Sequence, residues 1–105
     1  MEIQELLNKT KLALKELYNE NLIDIVLYGS YARSEQNENS DIDLLIILKQ
    51  VDSVGKEIDR IVDATYDIAL DYNTVISVIP ISYDDYQSIK SPLLMNIKKE
   101  GIVIE

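Results

Sequence analysis

Two aspartates, Asp41 and Asp43, lie two residues apart at the start of the apolar run 41–48. If this run is a β-strand, both side chains point to the same face, because side chains alternate along a strand. Two carboxylates held side by side repel each other, and partial burial increases the cost of charging them. Carboxylate oxygens are the protein ligands that Mg²⁺ prefers. The pair therefore predicts a site for a divalent cation.

A second polar feature, Gly29-Ser30, directly follows the apolar run 23–28. Glycine allows a tight turn and the close approach of a ligand to the backbone. If residues 31–35 begin a short helical turn, free backbone N–H groups and the positive end of the helix dipole face this turn. Ser30 adds a hydroxyl, and Arg33 adds a guanidinium whose shape suits phosphate. These residues predict a phosphate-binding turn opposite the aspartate pair.

Each feature alone has an ordinary structural explanation: a turn, the cap of a strand, a surface cation. Their combination is more specific, because Gly-Ser ends one apolar strand and Asp-x-Asp begins the next after ten intervening residues. This arrangement resembles the signature of the DNA polymerase beta nucleotidyltransferase superfamily. Ala32-Arg33 and the run 40–46 are similar to its minimal nucleotidyltransferase (MNT) branch, and so is the C-terminal segment 91–102.

The resemblance implies an enzyme that transfers a nucleoside monophosphate, AMP from ATP in the simplest case, to a hydroxyl group. It implies that Gly29 and Ser30 bind the triphosphate, with Arg33 as a secondary phosphate contact. Asp41 and Asp43 would be the catalytic residues and would hold Mg²⁺, which neutralises charge on the phosphates.

The sequence departs from the family pattern in two places. Ser34 stands where the family usually has glycine after Ala-Arg. Active members also carry a third carboxylate on the third strand, and the corresponding run 75–81 contains no acidic residue. Asp71 precedes that strand and Asp67 lies on the helix before it, so both are candidates, although solvent-exposed surface acids are the favoured interpretation. Without a third acid, catalysis could be slow or lost while nucleotide binding survives.

The elements that must position these residues follow from hydrophobic periodicity. Residues 2–19 and 54–71 show the three- and four-residue spacing of amphipathic helices, whereas 23–28, 41–48 and 74–81 are apolar runs typical of strands. Two short helices follow: one capped by Ser82, the other opened by Ser91-Pro92 and closed by Gly101 in a left-handed conformation. The tail 102–104 is extended. This order predicts an α+β fold with a small mixed β-sheet and helices mainly on one face. The resemblance implies the polymerase-beta-type nucleotidyltransferase fold, with 1–105 as a single nucleotidyltransferase domain.

Composition excludes several classes of site. The chain of 105 residues has no cysteine and no histidine, which excludes disulfides, thiolate zinc sites and imidazole bases. A net charge of −9 disfavours direct nucleic-acid binding and favours a basic protein partner. No signal peptide and no apolar run long enough for a membrane span are apparent, so we expect a cytoplasmic protein without membrane contact.

Three functions remain open from the sequence. The first is transfer of AMP to a partner protein, because stand-alone MNT domains are often antitoxins paired with a helical HEPN-type toxin, and a chain this short leaves the acceptor to a partner or to a second copy. The second is a catalytically degenerate nucleotide-binding module that neutralises a basic partner by contact. The third, a transferase for small molecules with a site completed in a homo-oligomer, is the least favoured.

Overall fold

The computed structural model describes residues 2–105 of the chain. Its helices and strands, in chain order, are α1 (Ile3–Tyr18), β1 (Leu22–Tyr28), β2 (Ile42–Leu48), α2 (Val54–Asp71), β3 (Ile76–Ser82), α3 (Tyr83–Ser88), α4 (Pro92–Glu100) and β4 (Ile102–Val103). A 3₁₀ turn, Asn19–Asn21, joins α1 to β1.

The helices begin at side chains that cap their first N–H groups. The hydroxyls of Ser53, Ser82 and Ser91 accept hydrogen bonds from the backbone N–H groups of the third residues of α2, α3 and α4. Pro92 follows Ser91 in the first turn of α4, where a missing N–H has no cost. The capping predicted at Ser82 and Ser91 is therefore confirmed.

The four strands form one mixed sheet in the order β3-β2-β1-β4. β1 runs antiparallel to β2 and to β4, whereas β2 and β3 are parallel. A parallel pair needs a long crossover, and α2 provides it. β3 lies at the edge of the sheet, which allows Pro80 within the strand, because an edge strand has one side without hydrogen bonds.

Alternate residues of β2 belong to two hydrophobic clusters on opposite faces of the sheet. Ile42, Leu44, Ile46 and Leu48 pack with the long helices α1 and α2 on one face. Leu45 and Ile47 pack on the other face, with residues of the shorter helices α3 and α4. β2 is thus buried on both faces. Asp43 shares the side of the sheet that α4 covers, because it has the parity of Leu45 and Ile47.

The α+β fold and the small mixed sheet predicted from the sequence are confirmed, with the two long helices together on one face. Two local predictions were wrong. Residues 31–35 form successive turns and no helix, and Ser34 has a left-handed φ of 57°. Gly101 does not adopt a left-handed conformation, since its φ is −68° and its ψ is 153°.

Glycine is needed at position 101 because there is no room for a side chain, and not because of its backbone conformation. A Cβ at this position would lie 2.6 Å from Cγ1 of Val26 and 2.5 Å from the carbonyl oxygen of Ile97. The absence of a side chain therefore lets the chain pass closely under α4 and join β1 as β4. No helix within residues 2–105 combines the length and the hydropathy needed to cross a membrane.

Candidate active site

The site predicted from the sequence is built around a close contact between Gly29 and Asp43. β1 ends at Tyr28, which lies opposite Asp43 of β2 in the antiparallel register. The next residue, Gly29, has a φ of 73°, a conformation that side-chain-bearing residues rarely adopt. A Cβ on Gly29 would overlap Oδ2 of Asp43 and lie 3.2 Å from its Cγ. The glycine is therefore required both by the turn and by the neighbouring carboxylate.

The turn after Gly29 exposes backbone donors beside this carboxylate. Arg33 N–H donates to the carbonyl of Gly29 at 3.2 Å, and Glu35 N–H donates to the carbonyl of Ser30 at 2.8 Å. These two bonds fold residues 29–35 back on themselves. The N–H groups of Ser30 and Tyr31 have no hydrogen-bond partner within residues 2–105. Free N–H groups arranged in a turn are suited to bind anionic oxygens even where no regular helix follows.

Asp41 and Asp43 lie close together, but their environments differ. Asp41 immediately precedes β2 and is exposed, whereas Asp43 is half-buried. Burial raises the pKa of Asp43, and the charge on Asp41 adds to the rise, while the Arg33 guanidinium partly opposes it. The ionised form of Asp43 is therefore less favourable in the folded protein than in water.

The pKa of Tyr28 is affected by the same carboxylate. Burial raises the pKa of its phenol, and the negative charge of Asp43 raises it further. The Tyr28 ring packs with the cluster under α4, on the face that Asp43 shares. Tyr28 therefore stays uncharged beside Asp43 and contributes its ring to the apolar cluster under α4.

Ser77 occupies the β3 position beside the aspartate pair. It lies opposite Asp43 in the parallel register of β2 and β3, and its hydroxyl donates a long hydrogen bond of 3.5 Å to Oδ2 of Asp41. The serine thus stands on the third strand, where the sequence resemblance leads one to expect an acid. An isolated serine within the apolar run 75–81 was a usable sequence signal for this position, but the register was needed to interpret it.

Asp67 and Asp71, the other candidates for a third carboxylate, do not join the pair. Both are exposed on α2, whose buried residues face the opposite side of the sheet from Asp43. Among residues 2–105, no group of three acids lies close enough together to hold a metal ion. The site that the structure assembles therefore contains two carboxylates and one serine.

Arg33 lies at the side of the site and is held by two carboxylates. Its Nε is 3.2 Å from Glu35, and Nη1 is 3.7 Å from Glu100 of α4. The side chain remains 42% exposed, so these ion pairs are weak and a phosphate can compete with them. Its charge still reaches Asp43, where it partly opposes the rise in pKa that burial and Asp41 cause. Arg33 therefore connects the turn, the carboxylates and α4.

α4 contributes a wall that the sequence alone did not reveal. A cavity of about 200 Å³ opens between the end of β1 and the exposed side of α4. Its lining residues are Tyr28, Gly29, Arg33, Leu93, Asn96, Ile97 and Glu100. The resemblance of segment 91–102 to MNT domains was the available sequence signal, but it did not show that this segment lies beside the Gly29 turn. This cavity adjoins the Gly29 turn directly.

The donor set suits a hard divalent cation. Burial and the neighbouring charge of Asp41 make Asp43 costly to ionise, and Arg33 opposes this only in part, so a cation beside the two carboxylates would be stabilising. Mg²⁺ is usually bound by one or two carboxylates together with water and substrate phosphates, which matches a site with two acids. Asp41 and Asp43 therefore fit Mg²⁺.

A family model described as a nucleotidyltransferase domain matches residues 7–103, nearly the whole chain. The chain belongs to this family. This nucleotidyltransferase domain is 31% identical to a Methanocaldococcus jannaschii protein named putative protein adenylyltransferase MJ0141, in an alignment that covers 99% of this chain and 100% of the relative. The resemblance to nucleotidyltransferases drawn from the Gly-Ser and Asp-x-Asp motifs is confirmed.

Two solved structures share the fold of the nucleotidyltransferase domain. A crystal structure of a toxin–antitoxin complex with AMP-PNP has a TM-score of 0.66 at 20% identity, covering 92% of this chain and 70% of the other. A structure of the tri-AMPylated Shewanella oneidensis HEPN toxin in complex with MNT antitoxin contains a chain that matches with a TM-score of 0.60 at 18% identity. The match covers 95% of this chain and 69% of the other. At these identities the similarity establishes the fold.

Proposed function

We propose that residues 1–105 form one nucleotidyltransferase domain that transfers AMP from ATP to a hydroxyl group of a partner protein, as the antitoxin of a toxin–antitoxin pair. The observation that carries this proposal is the contact between Gly29 and the Asp43 carboxylate. In the proposed site, the free N–H groups of the turn and the two carboxylates act together on either side of this contact. Such a site can hold a triphosphate and a cation at the same time.

In this proposal each residue has a separate task. The N–H groups and hydroxyl at Ser30 bind phosphate oxygens, and Arg33 leaves Glu35 or Glu100 to contact the same triphosphate. Asp41 and Asp43 would hold Mg²⁺, which neutralises charge on the phosphates during transfer. The acceptor oxygen bonds to the α-phosphorus, the bond to the β-phosphate oxygen breaks, pyrophosphate leaves, and the hydroxyl proton passes to solvent.

The partner follows from charge and from the relatives. The net charge of −9 favours a basic protein over a nucleic acid. The MNT antitoxin with the same fold is bound to an AMPylated HEPN toxin. A HEPN-type toxin is therefore the acceptor that we propose for this domain as well.

A direct test uses ATP labelled at the α-phosphate, Mg²⁺, and a purified HEPN-type toxin. Wild-type protein should transfer label to the toxin, and the double variant Asp41→Asn, Asp43→Asn should lower the rate at least ~100-fold. An Asp24→Asn variant is the matched control, because Asp24 is an exposed aspartate at the far end of β1. Equal labelling by wild type and the double variant would contradict the proposal.

A second function is supported by Ser77. With serine at the β3 position and no third acid beside the pair within residues 2–105, the domain could bind nucleotide and neutralise a basic partner by contact alone. In that case the double variant still neutralises the toxin, and no label is transferred. Toxin activity measured beside labelling separates the two functions, because transfer requires the aspartates and simple contact does not.

A further inference from the structure

The outer face of α2 carries a row of exposed apolar side chains. Val62, Tyr66 and Leu70 recur at every fourth residue, and their exposed fractions are 45%, 60% and 64%. The buried residues of α2, Ile61 and Thr65, face the sheet, so this row points away from the core. Side chains four apart form the ridges by which helices pack against each other. The row is therefore shaped like one half of a helix–helix contact.

A second row, made of aspartates, runs beside the first. Asp59, Asp63, Asp67 and Asp71 also recur at every fourth residue, and all are exposed. Each of the first three lies three residues before an apolar member of the ridge, which makes them surface neighbours. Like charges four residues apart on a helix repel each other and destabilise it. Acids near the helix C-terminus are also unfavourable, and the last turn of α2 has no basic residue.

The chain itself does not compensate these charges. Among residues 2–105, none of the ion pairs involves any of the four aspartates. Arg60, the arginine of α2, is 3.0 Å from Glu57 and lies over the Tyr18 ring at 5.2 Å from its centroid. The aspartate row thus costs helix stability in the isolated domain, and a source of positive charge outside the chain would relieve it.

We infer that this face of α2 is a docking surface for a helix of a partner protein, one that presents apolar side chains alongside a row of lysines or arginines. The apolar ridge supplies the contact area, and the aspartates select a basic partner. A second copy of this chain is a poor occupant, because two identical aspartate rows would repel each other.

The surface leads towards the candidate active site. Leu70 and Asp71 end α2, and the next residues carry the chain to Val75, whose carbonyl accepts a hydrogen bond from Ile42 N–H at 2.9 Å. Ile42 stands between the two catalytic candidates, Asp41 and Asp43. The C-terminal end of α2 therefore lies at the same end of the sheet as Asp41 and Asp43, although α2 packs on the face opposite to Asp43. The inference deepens the proposed function by naming where the partner binds, and docking can be measured without catalysis.

The test uses a synthetic helical peptide with leucine at every fourth position and a parallel row of lysines. It is titrated into the ¹⁵N-labelled chain, and amide shifts and affinity are recorded. We expect shifts along the outer face of α2. Tyr66→Ala should weaken binding ~10-fold, whereas Leu12→Ala should not, although Leu12 of α1 is 67% exposed. Amide shifts centred on another surface, or an equal loss of peptide affinity in Tyr66→Ala and Leu12→Ala, would overturn the inference.

Charge is tested with a second pair of variants. Asp63→Asn, Asp67→Asn should weaken peptide binding and flatten its salt dependence, while Asp84→Asn, Asp85→Asn in α3 should leave both unchanged. A scrambled peptide of the same composition should bind at least ~10-fold more weakly; equal binding would mean nonspecific attraction and would overturn the inference. ATP binding is measured for every variant. Its absence in wild type would contradict the proposed function and leave the docking result valid.

Discussion

Gly29 touches the carboxylate of Asp43 across the β1–β2 pair, with Cγ of Asp43 only 3.2 Å from the position that a Cβ on residue 29 would take. The contact explains why two motifs separated by ten residues must occur together. Gly29 directly follows β1, Asp43 is the second residue of β2, and the antiparallel register that pairs Tyr28 with Asp43 brings the glycine beside the carboxylate. Any side chain at residue 29 must displace the carboxylate that the site needs.

Gly29→Ala should therefore impair both stability and nucleotide binding. The left-handed φ of 73° and the overlap with Asp43 predict a loss of about 1–2 kcal/mol in the free energy of unfolding. ATP affinity should fall at least ~10-fold, because Asp43 is displaced. Urea unfolding and ATP titration measure the two effects.

Gly55→Ala is the matched control for this substitution. Gly55 lies in the first turn of α2, and a Cβ there has no neighbour within 4 Å. Alanine should stabilise the protein by about 0.5–1 kcal/mol and leave ATP affinity unchanged. Similar losses in both variants would refute the explanation given for Gly29.

The raised pKa of Asp43 predicts a specific pH dependence of stability. Because the folded pKa lies above the unfolded one, the folded state holds the proton more tightly. Stability should thus fall as pH rises through the window between these two pKa values, and then stay level. In a metal chelator at neutral pH, Asp43→Asn should be more stable than wild type. The difference should shrink as pH falls through the raised pKa.

Mg²⁺ should reverse this order. It binds the folded wild type and should raise its unfolding midpoint, but it should have little effect on Asp43→Asn. Urea unfolding of wild type and Asp43→Asn at several pH values, each with and without Mg²⁺, gives the four curves of stability against pH. A variant that is less stable than wild type in chelator would show that burial of Asp43 is not costly.

Much of this arrangement could be predicted from local sequence. The bounds of α2 at Val54 and Asp71, the strand through Asp43 and the serine caps all follow from periodicity and capping within a few neighbouring residues. These features depend on short-range interactions, which the sequence displays directly.

Other features depend on contacts between distant residues. The need for glycine at position 101 depends in part on its close approach to Val26 of β1, which is distant in sequence and which a local pattern does not reveal. The pairing of Ser77 with Asp43 depends on how α2 sets the register of the parallel strands. The turn expected after Ser30 does not continue as a helix, because Ser34 has a positive φ and Glu35 N–H bonds to Ser30, five residues back.

Ser77→Asp should test what the third strand contributes. An aspartate there would lie opposite Asp43 and within reach of Asp41, which completes a site with three acids. We expect tighter Mg²⁺ binding and AMP transfer at least ~10-fold faster, with lower stability in chelator because three like charges repel. Thr74→Asp, just outside β3, is the control. Unchanged Mg²⁺ affinity in Ser77→Asp would show that this position is not part of the site.

The most direct test of the central claim is to locate the cation. Mn²⁺, a paramagnetic substitute for Mg²⁺, is added with a non-hydrolysable ATP analogue to the ¹⁵N-labelled chain, and amide signals are followed. Signals of residues 29–33, 41–43 and 77 should broaden first in wild type, and this broadening should vanish in Asp41→Asn, Asp43→Asn. Broadening that is centred elsewhere, or that persists in the double variant, would contradict a site built on the turn at Gly29 and the two aspartates.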